Sequence, residues 1–430
     1  MIKMQLHWQI LLSIVLAIVV GALIEQDTAI FGMTFYALFD FLGTLFLNGL
    51  KMIIVPLVLS SIICGVSNLG GNSNLGRLGG KTLSFYMLSS LLAILMGLLL
   101  VNVFAPGIVD GQPAGDRLNL SPPEEVSAQL DELEGRGAGD IAGVFLRLIP
   151  TNVVEAAADG QLLGLIFFGI IFGFFMTRIA ADLRGTLSNF WQAVFETMML
   201  ITMFIMRFAP LGVFGLVAKT VAATGFAAFQ PLLIFFVTVV LALALHVFVT
   251  MGLVLKYVAG VNPMRHFRAM GAALLTAFST ASSSATLPLT MECLEKKAGV
   301  SNQTSAFVLP LGATINMDGT ALYECVAAMF IAQAYGLELT WVTQFTIVLI
   351  ALVTSVGVAG IPAASLVAIT VILAAIGLPL EGIGMLLVTD RVLDMMRTAV
   401  NVFGDSVCAV VVARSEGEQT LLVDPGAIVG

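Results

Sequence analysis

Charged side chains are scarce in this chain of 430 residues. Aspartate, glutamate, lysine and arginine together make up 11% of it, whereas hydrophobic residues make up 59% and the mean hydropathy is +1.02. Because a soluble globular protein carries about 25% charged residues, this chain has too few to cover a surface that faces water. The composition excludes a soluble protein and indicates an integral membrane protein.

Basic patches, histidine clusters and cysteine motifs are also lacking. The 19 basic and 27 acidic residues give a net charge of -8, which leaves no basic face for nucleic acid. The four cysteines lie in apolar stretches without C-x-x-C spacing. The three histidines, His7, His246 and His266, are far apart in the sequence, and we interpret them as packing or interfacial residues. We therefore expect no cofactor, no transition-metal site and no nucleic-acid partner.

Most of the net charge lies in one segment. Residues 106–140 contain eight acidic residues and two arginines, which sum to -6. A stretch this polar and acidic does not bury enough apolar surface to fold on its own. We predict an acidic, poorly ordered extracellular loop over 106–140.

Long apolar runs fill most of the first 256 residues. The first run has no A-x-A-like cleavage site after it, which favours a membrane span over a cleaved signal peptide. The later runs each reach the ~20 residues that a spanning helix needs. The runs lie near 9–24, 33–66, 82–105, 141–177, 186–215 and 227–256. Short basic loops between them follow the positive-inside rule and predict a multi-pass protein of the cell (inner or plasma) membrane, with cytoplasmic N- and C-termini.

Two later segments do not fit simple spans. Residues 269–291 have Arg268 before them and Lys296 and Lys297 after them, and their centre is rich in serine and threonine. Basic residues on both sides predict a helical hairpin that enters and leaves on the cytoplasmic side. Residues 341–380 carry no charge and are interrupted at 357–365, which predicts a second hairpin from outside. Since a helix with polar residues in its middle follows each hairpin, we predict an inverted repeat.

The last helix carries a polar stripe. Its six polar residues are Asp390, Asp394, Arg397, Thr398, Asn401 and Asp405. Their spacing confines them to an arc of roughly 100° on a helix. Each acid or arginine at the bilayer centre costs roughly 2.5–3.5 kcal/mol, so the stripe must face protein, ions or substrate. A structural ion-pair network is the alternative, but the excess of acids over arginine favours a bound cation.

The preceding helix offers oxygen atoms to such a cation. It contains Asn316-Met-Asp-Gly-Thr320, in which Gly319 is predicted to loosen the helix and release carbonyl groups beside Asn316 and Asp318. Oxygen ligands suit hard cations such as sodium. Tyr86, Ser89 and Ser90 share one face of another span and add hydroxyl groups, although such hydroxyls often bond only to their own helix.

Glu324 is a separate feature of this helix. It lies in the apolar run Ala321-Leu-Tyr-Glu-Cys-Val-Ala-Ala-Met-Phe330. Burial favours the protonated form of a carboxylate, which makes Glu324 a candidate proton carrier. A neutral structural hydrogen bond is the alternative.

The same residues indicate a substrate. Arg397 suits a carboxylate, and Asp394, one turn earlier, suits an ammonium group. The hydroxyl-rich first hairpin and the glycine-containing tip of the second could bind another carboxylate. These groups together predict an acidic amino acid as the substrate.

Four ordered motifs carry a family resemblance. They are Ser282-Ser-Ser-Ala-Thr-Leu-Pro288, Ala313-Thr-Ile-Asn-Met-Asp-Gly-Thr320, Gly360-Ile-Pro362 and Asp394-Met-Met-Arg-Thr-Ala-Val-Asn-Val-Phe-Gly-Asp405. With them, the chain resembles the dicarboxylate/amino acid:cation symporter family, in particular its glutamate and aspartate transporters, which include the excitatory amino acid transporters. The resemblance extends over the whole chain in hydropathy.

The resemblance implies an all-α membrane protein with eight transmembrane helices, two re-entrant hairpins and inverted repeats. It also implies a homotrimer surrounded by lipid, in which a scaffold holds a transport domain that moves like an elevator. The implied scaffold consists of 1–66 (helices 1 and 2) and 141–219 (helices 4 and 5), with the acidic loop at 106–140. The implied transport domain consists of 82–105 (helix 3), 227–258 (helix 6), 264–297 (hairpin 1), 303–336 (helix 7), 341–380 (hairpin 2) and 382–414 (helix 8).

The resemblance also implies a set of site residues. Substrate would contact Ala281, Ser282, Ser283, Thr320, Ile361, Pro362, Ser365, Asp394, Arg397, Thr398 and Asn401. One sodium ion would bind Gly312, Asn316, Asn401 and Asp405; a second Thr314, Met317, Ser355, Val356 and Val358; a third Tyr86, Ser89, Ser90, Asn316 and Asp318. Glu324 would carry the proton.

Some positions depart from the family pattern. The animal glutamate transporters place an arginine just before the serine triplet or just after the Asp394 position, where this chain has Ala281 and Met395. Arg391 fills neither slot, so potassium counter-transport is not favoured. Ser365 stands where the outer gate usually has glycine. Proton-coupled glutamate/aspartate symport and C4-dicarboxylate transport remain alternatives, as does the choice between aspartate and glutamate.

Two other function classes are disfavoured. An intramembrane aspartyl protease would need a Tyr-Asp pair that this chain lacks, so we do not expect an enzyme. A passive channel fits poorly with an arginine and an aspartate that could bind both ends of an amino acid.

Overall fold

The computed structural model describes residues 6–24, 29–30, 33–68, 73–118, 120, 149–158, 162–225, 229–337, 339–355, 365, 368–369, 372–373, 376, 378 and 382–418. These residues are almost entirely helical. The first helices are α1 (Leu6–Leu23), α2 (Phe35–Asn68), α3 (Ser73–Phe104), α4 (Val153–Ala158), α5 (Leu162–Met176), α6 (Ala181–Met206) and α7 (Ala209–Thr224). The later ones are α8 (Phe229–Leu245), α9 (Pro263–Thr280), α10 (Ser283–Cys293), α11 (Asn302–Ile315), α12 (Asp318–Ala334), α13 (Trp341–Ser355) and α14 (Ile383–Ser415).

Short elements complete the described chain. The helix α8 continues through π-helical turns at His246–Met251 and Val254–Val258, and α10 continues through one at Leu294–Ala298. Two antiparallel pairs of short strands join β1 (Ala29–Ile30) to β2 (Met33–Thr34) and β3 (Ile108–Val109) to β4 (Gln112–Pro113). The second pair and a 3-10 turn at Asp116–Leu118 show that the predicted acidic loop begins in an ordered form. Residue 119 and residues 121–140 of that loop lie outside the described residues.

The molecular surface is rich in large apolar side chains. Trp341 is 82% exposed, Leu23 78% and Leu200 72%. Contiguous exposed apolar surface is rare on soluble monomers, whereas lipid can cover it. The surface therefore agrees with the membrane protein that the composition predicts.

Three described helical segments are long and apolar enough to cross a membrane. They are Arg77–Phe104, Phe229–Val258 and Val388–Ser415. A fourth span results if the pair Ala181–Ile205 and Ala209–Ala223, bent by 55° at its break, is taken as one. Shorter apolar helices make up much of the remainder, so the number of eight spans stays a prediction.

Buried apolar side chains form two clusters. The smaller one joins α1, α2, α6 and α7 through residues such as Ile14, Phe46, Ile205 and Val217. The larger one joins α3, α8 to α14 and parts of α2, α4 and α5, with Phe330 near its centre. The polar residues of interest lie among the helices of the larger cluster.

The serine-rich segment forms two helices that pack against each other. Asn262 accepts a hydrogen bond from the backbone of Met264 and so caps α9, with Pro263 in its first turn. The chain then reverses at Ala281, which has a left-handed φ of 49°, and Ser282 caps α10 through the backbone N–H of Ala285. This arrangement corresponds to the predicted hairpin at 264–297; its re-entry into the membrane stays a prediction.

The predicted helix over 303–336 is broken. We predicted that Gly319 loosens it, but the break lies at Asn316–Met317, between α11 and α12, and Gly319 belongs to the first turn of α12. The role of Gly319 is close packing, because a Cβ atom there would lie 2.8 Å from the carbonyl oxygen of Arg397. The prediction that the helix is interrupted near Gly319 is confirmed, but the position of the break was wrong, because the helix breaks at Asn316–Met317.

The end of α14 is tied to two other helices. Glu416 forms ion pairs with Arg77 and with Lys81 of α3, the latter at 2.6 Å. A hydrogen bond from Lys81 holds the pKa of Glu416 below its usual value. Glu418 accepts hydrogen bonds from the backbone and hydroxyl of Ser301 and from Thr304, at the N-terminus of α11. These contacts connect α3, α11 and α14, which are three of the helices that carry the polar residues.

Candidate functional site

Arg397 is the most deeply buried cation of α14. Its side chain is 1% exposed, and Nη2 donates to Asp390 Oδ1 at 2.9 Å and to Asp394 Oδ1 at 3.2 Å. The guanidinium lies 3.8 Å from the centre of the Tyr323 ring, a cation–π contact. Within the described residues, Nε and Nη1 of Arg397 have no hydrogen-bond partner. A buried arginine with unpaired donors is suited to binding an anion.

Asp394 contacts a second arginine. Arg391 Nη1 donates to Asp394 Oδ2 at 3.3 Å, and the two side chains are 10% and 14% exposed. The spacing of three residues on one helix was a signal for this ion pair, although we assigned Arg391 no role from the sequence. We call Asp390, Arg391, Asp394 and Arg397 the arginine cluster. Its formal charges cancel.

A second group of polar residues lies where α3, α11, α12 and α14 meet. Asp318 is fully buried and accepts hydrogen bonds from Ser89, at 2.9 Å to either oxygen, and from Ser90 at 2.6 Å. Asn316 Nδ2 donates to Asp405 Oδ1 at 2.9 Å. We call Tyr86, Ser89, Ser90, Asn316, Asp318 and Asp405 the oxygen cluster. The hydroxyls of Ser89 and Ser90 therefore reach across to α12 and do more than bond to their own helix.

Gly312 allows the side chains of Tyr86 and Asp405 to approach α11 closely. A Cβ atom on Gly312 would overlap the carboxylate of Asp405 and the hydroxyl of Tyr86. Tyr86 donates to the carbonyl oxygen of Val308, one turn earlier on α11, at 2.9 Å. Only glycine therefore allows both side chains to approach this helix.

Asn401 connects the polar face of α14 to the break between α11 and α12. Its Oδ1 accepts a hydrogen bond from the backbone N–H of Gly319 at 2.8 Å. Its Nδ2 lies 3.2 Å from Thr320 Oγ1 and 3.2 Å from the sulfur of Met317. Thr398, the next member of the stripe, donates to the carbonyl oxygen of Asp394. Asn401 thus lies beside residues that we assigned to substrate and others that we assigned to sodium.

Two of the histidines that we interpreted as packing or interfacial residues are buried and also make polar contacts. His246 Nε2 lies 3.4 Å from Asp318 Oδ2, and both side chains are fully buried. His266 Nε2 lies 2.9 Å from the hydroxyl of Ser406 on α14. Neither contact could be predicted from the sequence, since His246 and Asp318 are 72 residues apart and His266 and Ser406 are 140 residues apart. His7 lies among residues whose side chains the structure does not describe.

Glu324 forms no hydrogen bond with either cluster within the described residues. Its side chain is fully buried, and Oε2 accepts a hydrogen bond from Thr354 at 3.1 Å. In the described part of the chain, Oε1 has no hydrogen-bond partner. This geometry leaves one carboxyl oxygen available to carry a proton.

For the other predicted site residues, the structure shows fewer contacts or does not describe the residue. At the first hairpin, Ala281 and Ser283 are buried, Ser282 caps α10, and α10 packs against α14. Thr314 donates to carbonyl groups of its own helix, as does Ser355. Ser365 is buried, and its hydroxyl has no partner among the described residues. Val356, Val358, Ile361 and Pro362 lie outside the described residues.

Helices apolar enough to span a membrane, with charged clusters buried between them, define a membrane transport protein. The sequence model of the sodium:dicarboxylate symporter family matches residues 6–415. The chain belongs to this family, as its motifs predict. The family and the relatives described next are transporters and not enzymes.

Three relatives show the range of similarity. The proton/glutamate-aspartate symporter of Escherichia coli (strain K12) is 36% identical over 417 residues, which cover 96% of this chain and 94% of that protein. The proton/sodium-glutamate symport protein of Bacillus caldotenax is 35% identical, over 97% of this chain and 96% of that protein. Excitatory amino acid transporter 3 of Oryctolagus cuniculus is 34% identical, over 93% of this chain and 84% of that protein.

Proposed function

We propose that this protein is a secondary active symporter that moves an acidic amino acid, L-aspartate or L-glutamate, across the plasma membrane together with sodium ions. The observation that carries the proposal is the buried Arg397, whose Nε and Nη1 have no partner among the described residues and which lies beside Asp394. Any amino acid needs a cation for its carboxylate and an anion for its ammonium group, and an acidic amino acid needs a further partner for its second carboxylate. The names of the relatives support the same substrate class.

Each charged group of the substrate has a partner in this proposal. Arg397 binds the side-chain carboxylate through Nε and Nη1, and Asp394 binds the ammonium group. The second carboxylate binds at the hairpins, through Ser282 and Ser283 and through the backbone of 361–365 with Ser365. Thr320, Thr398 and Asn401 complete the contacts as neutral donors and acceptors.

Sodium binding is supported by the charge of the oxygen cluster. Asp318 and Asp405 are buried carboxylates, and no lysine or arginine in the described chain forms an ion pair with either. A buried carboxylate without a cation is strongly unfavourable, and the surrounding hydroxyl, amide and carboxylate oxygens suit sodium. In this proposal, sodium binds the three residue sets that the family resemblance implies.

The overall arrangement is proposed on the same grounds. The family resemblance supports a homotrimer with cytoplasmic termini, in which the transport domain (82–105, 227–258, 264–297, 303–336, 341–380 and 382–414) moves like an elevator past the scaffold (1–66 and 141–219). The second hairpin is the outer gate. Lipid covers the exposed apolar surface.

Uptake into proteoliposomes tests the proposal. Purified protein should accumulate radiolabelled L-aspartate or L-glutamate when only a sodium gradient is imposed, and an excess of succinate should compete weakly because it lacks an ammonium group for Asp394. Uptake that ignores the sodium gradient would contradict sodium coupling. Uptake that prefers succinate would favour the C4-dicarboxylate alternative.

Proton-coupled symport is the second candidate function. Its supporting observation is the Oε1 of the buried Glu324, which has no hydrogen-bond partner in the part of the chain that the structure describes. If Glu324 carries the proton, Glu324→Gln should support substrate exchange and lose the dependence of net uptake on a pH gradient. Thr354→Val is the matched control, because it removes the hydrogen bond to Glu324 and keeps the carboxyl group. A pH dependence that persists in Glu324→Gln would remove Glu324 from this role.

A further inference from the structure

The two arginines of the arginine cluster are not equivalent. Arg397 is held by Asp390 at 2.9 Å and by the Tyr323 ring at 3.8 Å, in addition to Asp394. Arg391 makes one hydrogen bond in the described part of the chain, to Asp394 Oδ2 at 3.3 Å, and its Nε has no partner there. Charge-assisted N–H···O bonds are ordinarily about 2.7–2.9 Å long. Arg391 is therefore the more weakly held of the two.

The charge of the site depends on Arg391. With two arginines and two aspartates, the arginine cluster has no net formal charge. Without Arg391, two carboxylates would share the single Nη2 group of Arg397, and one negative charge would remain uncompensated. Since charged groups in the membrane interior are costly, the cluster as it stands is better suited to crossing the membrane without substrate.

Substrate binding changes this balance. The ammonium group proposed to bind Asp394 approaches the carboxylate whose Oδ2 is already bonded to Arg391. The substrate therefore replaces a weak internal ion pair with its own, while Arg397 stays held by Asp390. A symporter must return empty after each net cycle, and at that stage no ammonium group is present.

We propose that Arg391 is the resident counter-cation of Asp394: it gives way to the substrate's ammonium group and restores a neutral site when the empty carrier returns. This inference rests on the proposed function. It makes Arg391 a positioning residue that acts through Asp394 and does not itself touch the substrate. It also means that the return step needs no other cation at Asp394.

The test separates net uptake from exchange in proteoliposomes. Net uptake needs the empty carrier to return, whereas exchange of labelled for unlabelled substrate does not. Arg391→Gln should lower net uptake by roughly tenfold or more, because an uncompensated charge must cross the membrane, and should lower exchange far less. Internal potassium should partly restore net uptake in Arg391→Gln, since a small cation can then occupy Asp394.

Two further variants make the result specific. Arg391→Lys keeps the charge and should retain most of the net uptake, and it carries the test if the glutamine variant does not fold. Arg268→Gln removes an exposed arginine outside the cluster and should leave the ratio of net uptake to exchange unchanged. Equal losses of net uptake and exchange in Arg391→Gln, or no loss in either, would overturn the inference. A wild-type protein with neither activity would instead overturn the proposed function.

Discussion

The arginine cluster and the oxygen cluster are both buried on the same face of α14, yet their charges are arranged differently. In the arginine cluster, each aspartate is paired with an arginine. In the oxygen cluster, Asp318 and Asp405 are surrounded by hydroxyl and amide groups, and within the described residues neither forms an ion pair with a lysine or arginine, although His246 Nε2 lies 3.4 Å from Asp318 Oδ2. One cluster is balanced internally and the other is not.

This difference corresponds to two kinds of ligand. A balanced cluster can exchange its internal ion pairs for those of a ligand that carries both signs, such as an amino acid. A cluster with excess negative charge needs cations, and a site composed of oxygens selects hard ones. Asn401 lies between Arg397 and Asp405 along α14 and accepts a hydrogen bond from the backbone N–H of Gly319, next to Asp318, so we expect a cation bound near Asp405 to stabilise the backbone beside the substrate site. The contrast between the two clusters offers a structural basis for the coupling of substrate binding to cation binding.

Removing Arg397 should produce the largest effect. Truncating one partner of a buried, hydrogen-bonded charge pair costs about 2–5 kcal/mol, so Arg397→Cys should lower the apparent affinity for L-aspartate by roughly 30-fold or more. Sodium binding, measured separately by protection against thermal unfolding, should change little. Competition of uptake by neutral amino acids would show whether the freed space accepts them. Unchanged aspartate affinity would contradict the role of Arg397.

A methyl group at Gly312 should disturb the oxygen cluster alone. Gly312→Ala places a Cβ atom against the Asp405 carboxylate and the Tyr86 hydroxyl, and such overpacking typically costs about 1–3 kcal/mol. The sodium concentration for half-maximal uptake should rise roughly tenfold, while the order of substrate preference stays the same. Gly271→Ala is the matched control, because a Cβ atom there has no other atom within 4 Å. Equal behaviour of the two variants would remove Gly312 from the cation site.

The sequence predicts part of the division of the buried polar residues into an arginine cluster and an oxygen cluster. The polar stripe on α14 and the Ala313–Thr320 motif were visible because charged and amide groups stand out in apolar helices, and the structure brings Asn316, Asp318, Asn401 and Asp405 close together. The break at Asn316–Met317 was misplaced, because a glycine that permits close packing and one that ends a helix look alike in sequence. His246 and Tyr323 were missed because their contacts with Asp318 and Arg397 depend on how helices distant in sequence pack together.

Removing one hydroxyl from the oxygen cluster should produce the smallest effect and sharpen the comparison. Ser90 donates to Asp318 Oδ1 at 2.6 Å, but Ser89 lies 2.9 Å from both oxygens of the same carboxylate and remains. A single hydrogen bond contributes about 0.5–1.5 kcal/mol net; because Ser89 stays bonded to both oxygens of Asp318, we expect the lower end of this range, so Ser90→Ala should raise the half-maximal sodium concentration roughly threefold. Ser67→Ala is the control, since that hydroxyl donates to the carbonyl of Cys64 in its own helix. A shift in aspartate affinity at saturating sodium, with no change in the sodium requirement, would show that the two clusters do not divide the ligands as proposed.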